Sequence, residues 1–356
     1  MKIKILMAIL ALSLLWSCSD DNGTDPPKNE NPQYEIPNTY EFEDVNFDDQ
    51  VTYFAMLAEI KKEITDAIDN EASVGRGPLM GMYRNQGTFF DDDELNQSDL
   101  KLYTVTDPTR QAFVEGYFGD INNASTTRIA EYSRKGILIS ADGEKRYLFD
   151  SLGREYAQMI EKGLMGAIFY YQVAQILTAD DMVGSSVDSL TRIQNWDKAF
   201  GYFGAPNGFP ESTEGVRYIA KYCNDRNELL GLNEIIMKEG FIKGRAAIEN
   251  NDEKRLEEAI AQIKESWELV LASTAIHYLN GAKKDFTDDA IKHHKLSEAW
   301  VFLWSVQFNP SSNGFFYEQA QAQIGTNYWE TTLIQINEAI NILANAYDLN
   351  EVKDEL

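Results

Sequence analysis

The histidines are the residues of this sequence best suited to metal chemistry, because imidazole nitrogens are common ligands of divalent transition metals. All of them fall within eighteen residues of one another: His277, His293 and His294. His277 ends an apolar helical stripe, and His294 lies on one face of the next helix with Glu298, four residues later. If residues 281–288 turn the chain back, the two helices run antiparallel and bring His277 close to His294. With Glu239 as a fourth ligand, these residues predict a site for a divalent transition metal or iron.

The alternative for the same residues is a structural polar network. A carboxylate on an inward helix face is more often satisfied by an arginine or a hydroxyl than by a metal, and helical cores tolerate such groups when each is paired. The sequence leaves both interpretations open and favours the network.

A second candidate site is the segment WDKAFGYFG, residues 196–204. It combines one carboxylate with several aromatic rings and two glycines beside a proline-bearing loop, a composition that can line a pocket. The predicted ligand contacts are Trp196, Asp197, Phe200 and Tyr202. The alternative is that these side chains fill the junction between two helical bundles.

Catalytic motifs are absent from the sequence. Cys223 has no histidine near it in sequence, and neither Gly-x-Ser-x-Gly nor His-Glu-x-x-His occurs. We therefore predict no catalytic residue and no enzymatic activity.

Helical periodicity dominates the chain and must position these groups. Apolar residues recur at spacings of three and four in several long stripes, one beginning at Asp48 or Asp49 and another running from Tyr156 to Leu177. The pattern predicts an all-α fold of two helical bundles, residues 48–179 and 226–356, joined by a loop-rich connection, residues 180–225. Around Asp142-Gly143, residues Ile137 to Phe149 also match a small β-hairpin.

The N-terminus has the pattern of an exported lipoprotein. Two lysines precede an apolar run that is too short to span a bilayer, and a small residue and Cys18 follow. We predict a signal peptide over residues 1–17, lipid attachment at Cys18 and a disordered polar tether over residues 18–47. The alternative is ordinary secretion with cleavage nearby. The acidic residues directly after Cys18 favour the outer membrane and its exterior face.

The net charge of −25 argues against nucleic acid as a partner, because such a surface repels phosphate backbones. A solvated acidic coat explains this charge more simply than a surface that collects cations. The predicted partners are the membrane, through the lipid, and a small ligand or metal.

Several motifs resemble one family, an uncharacterised group of bacterial lipoproteins that looks related to imelysin. They include EKGLMGAIFYYQ at residues 161–172 and WDKAFGYFG at residues 196–204. The resemblance implies two helical bundles, a location outside the cytoplasm and a role near iron or metal acquisition. The Gly-x-His-x-x-Glu motif of imelysin relatives has no match here, so the peptidase label is not transferred.

The predicted function is that of a surface lipoprotein that binds a small ligand or metal ion, with a role in iron acquisition. The competing hypothesis is a structural or host-interaction lipoprotein that binds no small molecule.

Overall fold

Helices make up most of the computed structural model, which describes residues 34–183, 188–310, 312 and 314–356. This confirms the predicted all-α fold. In the first half the helices are α1 (Asp48–Asp69), α2 (Arg76–Arg84), α3 (Asp93–Gln97), α4 (Leu102–Val105), α5 (Gln111–Ile121), α6 (Tyr156–Leu164) and α7 (Tyr171–Thr178). The others are α8 (Ser189–Phe203), α9 (Tyr218–Asp225), α10 (Asn227–Leu230), α11 (Leu232–Glu234), α12 (Lys243–Glu249), α13 (Glu253–Lys284), α14 (Asp289–Ser305), α15 (Phe315–Ile324) and α16 (Leu333–Ala346).

The predicted hairpin is present. Strand β1 (Gly136–Ile139) pairs antiparallel with β2 (Arg146–Phe149), and these two strands form the one sheet of the described residues. Leu148 and Phe149 are fully buried, so the hairpin is anchored by one end of β2.

Helices α13 and α14 form the antiparallel pair that the sequence predicted. The side chain of Asp288 accepts hydrogen bonds from the first backbone N–H groups of α14, which fixes where that helix begins. The Lys295 ammonium lies 2.6 Å from the Asp285 carboxylate at the start of the connection. The chain therefore turns back between residues 285 and 288, and the faces that carry His277 and His294 are on adjacent helices.

Two wide π-helical turns interrupt longer helices. One, Met165–Tyr170, joins α6 to α7, and the other, Ile235–Ile242, joins α11 to α12. In the first turn a Cβ atom on Gly166 would lie 2.2 Å from the Ser305 hydroxyl oxygen, so only glycine allows α14 to pack this closely. This glycine, within residues 156–177 of the predicted stripe, therefore allows close helix packing.

The hydrophobic core draws on helices from both halves of the chain, and residues Ile36–Leu356 form one compact unit. Tyr40 belongs to this core, with a fully buried ring stacked 3.7 Å from the Phe200 ring. The tether predicted for residues 18–47 therefore does not extend through Tyr40. The reason is aromatic burial: Tyr40, Phe42 and Phe47 pack on the core despite the polar residues around them.

The region expected to be a loop-rich connection contains the fifteen-residue helix α8. Asp188 caps its N-terminus by accepting a hydrogen bond from the Thr191 N–H group, and Gly204 ends it in a left-handed conformation with φ of +91°. Its buried face carries Trp196, Phe200 and Phe203. The prediction of loops here rested on the glycines and prolines. The Asp188 cap and the apolar stripe of α8 favour a helix instead.

No helix in the described part of the chain is long and apolar enough to cross a membrane. The predicted signal peptide and Cys18 lie outside the described residues.

Candidate anion-binding site

His294 lies between two carboxylates. Its Nδ1 atom is hydrogen-bonded to Glu155, which precedes α6, and its Nε2 atom lies 3.3 Å from Glu298, one turn further along α14. The Tyr147 ring stacks on the imidazole at 4.5 Å. Burial alone would lower the pKa of His294, but Glu155 and Glu298 outweigh it and raise the pKa to about 10. At neutral pH both ring nitrogens therefore carry protons and offer no lone pair to a metal.

The other predicted metal ligands are not arranged around His294. Glu239 is exposed and pairs with Lys243 at 3.5 Å, so its predicted inward orientation is wrong. The π-helical turn around it explains the error, because the wider turn directs Ile236, Met237 and Gly240 to the core instead. In the described residues no group of three or more His, Cys, Asp or Glu is arranged to hold a metal.

His277 is exposed and lines a pocket of about 610 Å³ with Lys283, Lys284 and Lys295. Although the residue is exposed, part of its ring is shielded from solvent, and this partial burial, together with Arg226 and Lys295, lowers the pKa of His277. His277 is therefore neutral at pH 7, and in the pocket lining three lysine side chains stand against one side-chain carboxylate, that of Asp354. That neighbourhood disfavours a metal ion.

The predicted ligand contacts of WDKAFGYFG lie in the core. The Trp196 indole N–H donates to the Phe241 carbonyl at 2.9 Å, and Asp197 accepts from the Tyr40 hydroxyl at 2.6 Å and from Arg245 Nε at 3.0 Å. Phe200 is fully buried and Tyr202 nearly so. These contacts are the ones expected if the segment fills a junction between helices.

A second set of buried charges begins at Lys162 in α6. Its ammonium lies 2.9 Å from the Glu161 carboxylate, and Lys61 of α1 contacts the same carboxylate oxygen at 2.7 Å. Burial would raise the pKa of Glu161, but the two ammonium groups hold it below its usual value. The Lys162 ammonium also lies 5.4 Å from the centroid of the Tyr222 ring, and Glu298 is among the negative charges that raise its pKa. The charges around Lys162 and those around His294 thus form one network.

This network opens onto a pocket of about 460 Å³ between α1, α6 and α9. Its lining carries four cations and one carboxylate: Lys61, Lys162, Arg217, Lys221 and Glu161. The remaining walls are mostly apolar or aromatic: Phe54, Ala55, Ala58, Val216, Tyr218 and Tyr222. Lys221 pairs with Asp225 at 2.6 Å, and Lys61 and Lys162 share Glu161. The cations still outnumber these two carboxylates by two, which makes this pocket suited to an anion.

The N-terminus of α9 borders the same pocket. No side chain caps this helix, so its first N–H groups add to the positive potential there. Tyr218, the first residue, has a φ of +48°, an unfavourable conformation for a tyrosine. Two hydrogen bonds hold it: the Tyr218 hydroxyl donates to the Phe54 carbonyl, and the Arg217 N–H donates to the Gly204 carbonyl, each at 2.9 Å. Strain of this kind is often retained where it positions a functional side chain.

The sequence analysis did not identify the pocket cations. A signal was present: Glu161 and Lys162 are adjacent charges inside EKGLMGAIFYYQ, and every residue of α6 is buried. A buried charge pair requires partners from other elements, which here are Lys61 and Tyr222. Cys223, which the sequence did not favour as a nucleophile, is fully buried, and burial raises its pKa.

The fold and this pocket define an all-helical protein with a cationic cavity beside a buried charge network. A family model described as a domain of unknown function, DUF4856, matches residues 37–328, and the chain belongs to this family. No curated protein and no solved structure matches the chain.

Proposed function

We propose that this protein is an exported, lipid-anchored binding protein that takes a small anionic ligand in the pocket between α1, α6 and α9. The observation that carries the proposal is the pocket's charge. Four of its lining residues are cations and one is a carboxylate, whereas acidic residues outnumber basic ones 57 to 32 in the whole chain. A local excess of cations in so acidic a chain supports a site that attracts anions.

The location is part of the same proposal and rests on the N-terminal sequence. Cys18 after an apolar run supports lipid attachment at the outer membrane, facing the exterior. A Cys18→Ala change should move the protein from the membrane to the soluble fraction. Membrane attachment that survives this change would contradict the lipid anchor.

A relation to imelysin and a role in iron acquisition remain proposals. The protonated His294 and the exposed Glu239 do not support a bare metal ion as the ligand. The pocket suits iron only as an anionic chelate, which its cations would bind by charge. Binding of ferric citrate no tighter than that of citrate would remove support for the iron role.

Titration calorimetry tests the anion site directly. Citrate, phosphate and acetate are compared with choline, a cation of small size, and binding of the anions should weaken as salt is added. Lys61→Gln should reduce citrate affinity by about tenfold, the effect of one charge-assisted hydrogen bond. Lys62→Gln is the matched control, because Lys62 pairs with Asp66 and Asp91 and does not line the pocket. Equal losses in both variants would contradict the assignment.

A scaffold or host-interaction protein is the second candidate. Ile129, Tyr132 and Ile139, at and beside the hairpin, are 53–65% exposed, and exposed apolar side chains of this kind favour a protein contact. Failure of every anion to bind would favour this function.

A further inference from the structure

The pocket between α1, α6 and α9 has an apolar neighbour. A second cavity of about 380 Å³ is lined by Phe47, Val51, Phe54, Gly201, Gly204, Ala205, Pro206, Asn207, Gly215 and Arg217. Phe54 and Arg217 belong to both linings, so the two cavities are adjacent. Arg217 is the one charged residue in the lining of the second cavity. We call the first the cationic pocket and the second the apolar pocket.

Helix α1 connects the two pockets. Val51, Phe54, Ala55, Ala58 and Lys61 follow one another at spacings that place them on one face of the helix. Phe54 and Lys61 are seven residues apart, or about 10 Å at the helical rise of 1.5 Å per residue. The face is therefore apolar at one end and cationic at the other. Ala55 and Ala58 between them are small, and Ala58 is exposed, so this part of the helix leaves room beside the cationic pocket.

We propose that the ligand is an amphiphilic anion, a single-chain carboxylate whose head group binds in the cationic pocket and whose hydrocarbon tail enters the apolar pocket. This inference rests on the proposed function, because it requires an anion site at Lys61 and Arg217. Charge complementarity selects the head group. The apolar side chains on this face of α1, namely Ala58, Ala55, Phe54 and Val51, select a linear apolar tail.

Two glycines in the lining of the apolar pocket allow the end of α8 to pack closely on its neighbours. A Cβ atom on Gly201 would lie 2.4 Å from the Phe47 Cβ, and one on Gly204 would lie 2.5 Å from the Arg217 carbonyl oxygen. The end of α8 therefore approaches both α1 and the segment that carries Arg217. Val51 is 41% exposed and lies at the open side of the apolar pocket.

A chain-length series tests the inference. Calorimetry with unbranched carboxylates from acetate to octanoate, at one salt concentration and below micelle formation, should show affinity rising about threefold to fourfold per added methylene until the pocket is filled. Octanoate that binds no tighter than acetate would overturn the inference and leave the proposed function in place. If neither binds, both are overturned.

A pair of valine variants locates the tail. Val51→Trp should fill the apolar pocket, remove the gain from longer chains and leave acetate binding unchanged, which also shows that the variant is folded. Val183→Trp is the matched control, since Val183 is 37% exposed and lines a different pocket with Leu177 and Glu268. Equal chain-length dependence in the two variants would overturn the assignment. So would binding to vesicles of anionic phospholipid without binding to free octanoate.

Discussion

Two buried ion-pair clusters in this protein use similar interactions for different ends. In the first, Arg245 donates to Asp197, to Glu249 and to the Glu43 carbonyl, and its guanidinium lies 5.0 Å from the Phe42 ring. In the second, described above, Lys61 and Lys162 share the Glu161 carboxylate beside an open cavity. In the first cluster the Arg245 guanidinium donates to acceptors within the protein. In the second, Lys61 and Lys162 also line a cavity that a ligand can enter.

Buried charge alone does not identify a ligand site in this protein. Each cluster contains charged side chains that are almost fully buried, Asp197 and Arg245 in the first and Glu161 and Lys162 in the second. Of the two, only the cluster at Lys162 lies beside a cavity whose lining carries more cations than carboxylates. The strained backbone at Tyr218 borders the same cavity. We infer that Asp197 and Arg245 hold the fold together, and that Lys61, Lys162 and Arg217 bind the ligand.

The largest effect is expected when the sealed cluster is broken. Asp197→Ala leaves Arg245 buried without its main partner, and the free energy of unfolding should fall by about 3–5 kcal/mol. Urea unfolding measures this. Asp69→Ala, at an exposed site on α1, should change stability by no more than about 0.5 kcal/mol. A small effect at Asp197 would show that the cluster is not structural.

Lys162→Met should have a smaller effect on stability and a larger one on binding. Glu161 keeps Lys61 as a partner, so we expect a loss of about 1–3 kcal/mol in the free energy of unfolding. Anion binding measured by calorimetry should be lost in the folded variant. Retained binding would place the ligand elsewhere.

A pH titration distinguishes the charge network from a metal site. Because the folded pKa of His294 is raised to about 10, its stabilising contribution is fully present below the unfolded pKa of about 6.5 and is lost as pH rises to 10. The wild-type protein should lose on the order of 4 kcal/mol of stability in this range. His294→Gln should lack this component of the pH dependence. Identical profiles in the two proteins would contradict a charged His294.

The smallest effect is expected at Glu239. Glu239→Gln removes an exposed carboxylate, so stability should change by no more than about 0.5 kcal/mol and zinc titration should be unaffected. A loss of zinc binding in this variant, shared with His294→Ala, would restore the metal-site hypothesis.

Local patterns in the sequence predict much of this fold. The stripe that begins at Asp48, the turn before Asp289 and the hairpin around Asp142-Gly143 each depend on residues close together in the chain, and each is present in the structure. The course of α11 and α12 was harder to predict, because a π-helical turn changes which side chains face inward, as at Glu239. Helix α8 was obscured by the glycines near its end.

The candidate site was beyond sequence reasoning for a different reason. Its cations come from α1, from α6, and from α9 and the residue before it, which are far apart in the chain and meet only in the tertiary structure. Spacing along one helix placed His294 and Glu298 together correctly, but it did not show that Glu155 binds the other side of the imidazole. That contact, across 139 residues, changes the histidine from a candidate ligand to a charged partner.

The most direct measurement is a crystal structure with ω-bromohexanoate, whose bromine atom can be located by anomalous scattering. We expect the carboxylate to contact Lys61 or Arg217 and the bromine to lie between Phe47, Val51 and Ala205. Bromine signal only at other sites, with water filling the cationic pocket, would contradict the assignment of this cavity as the ligand site.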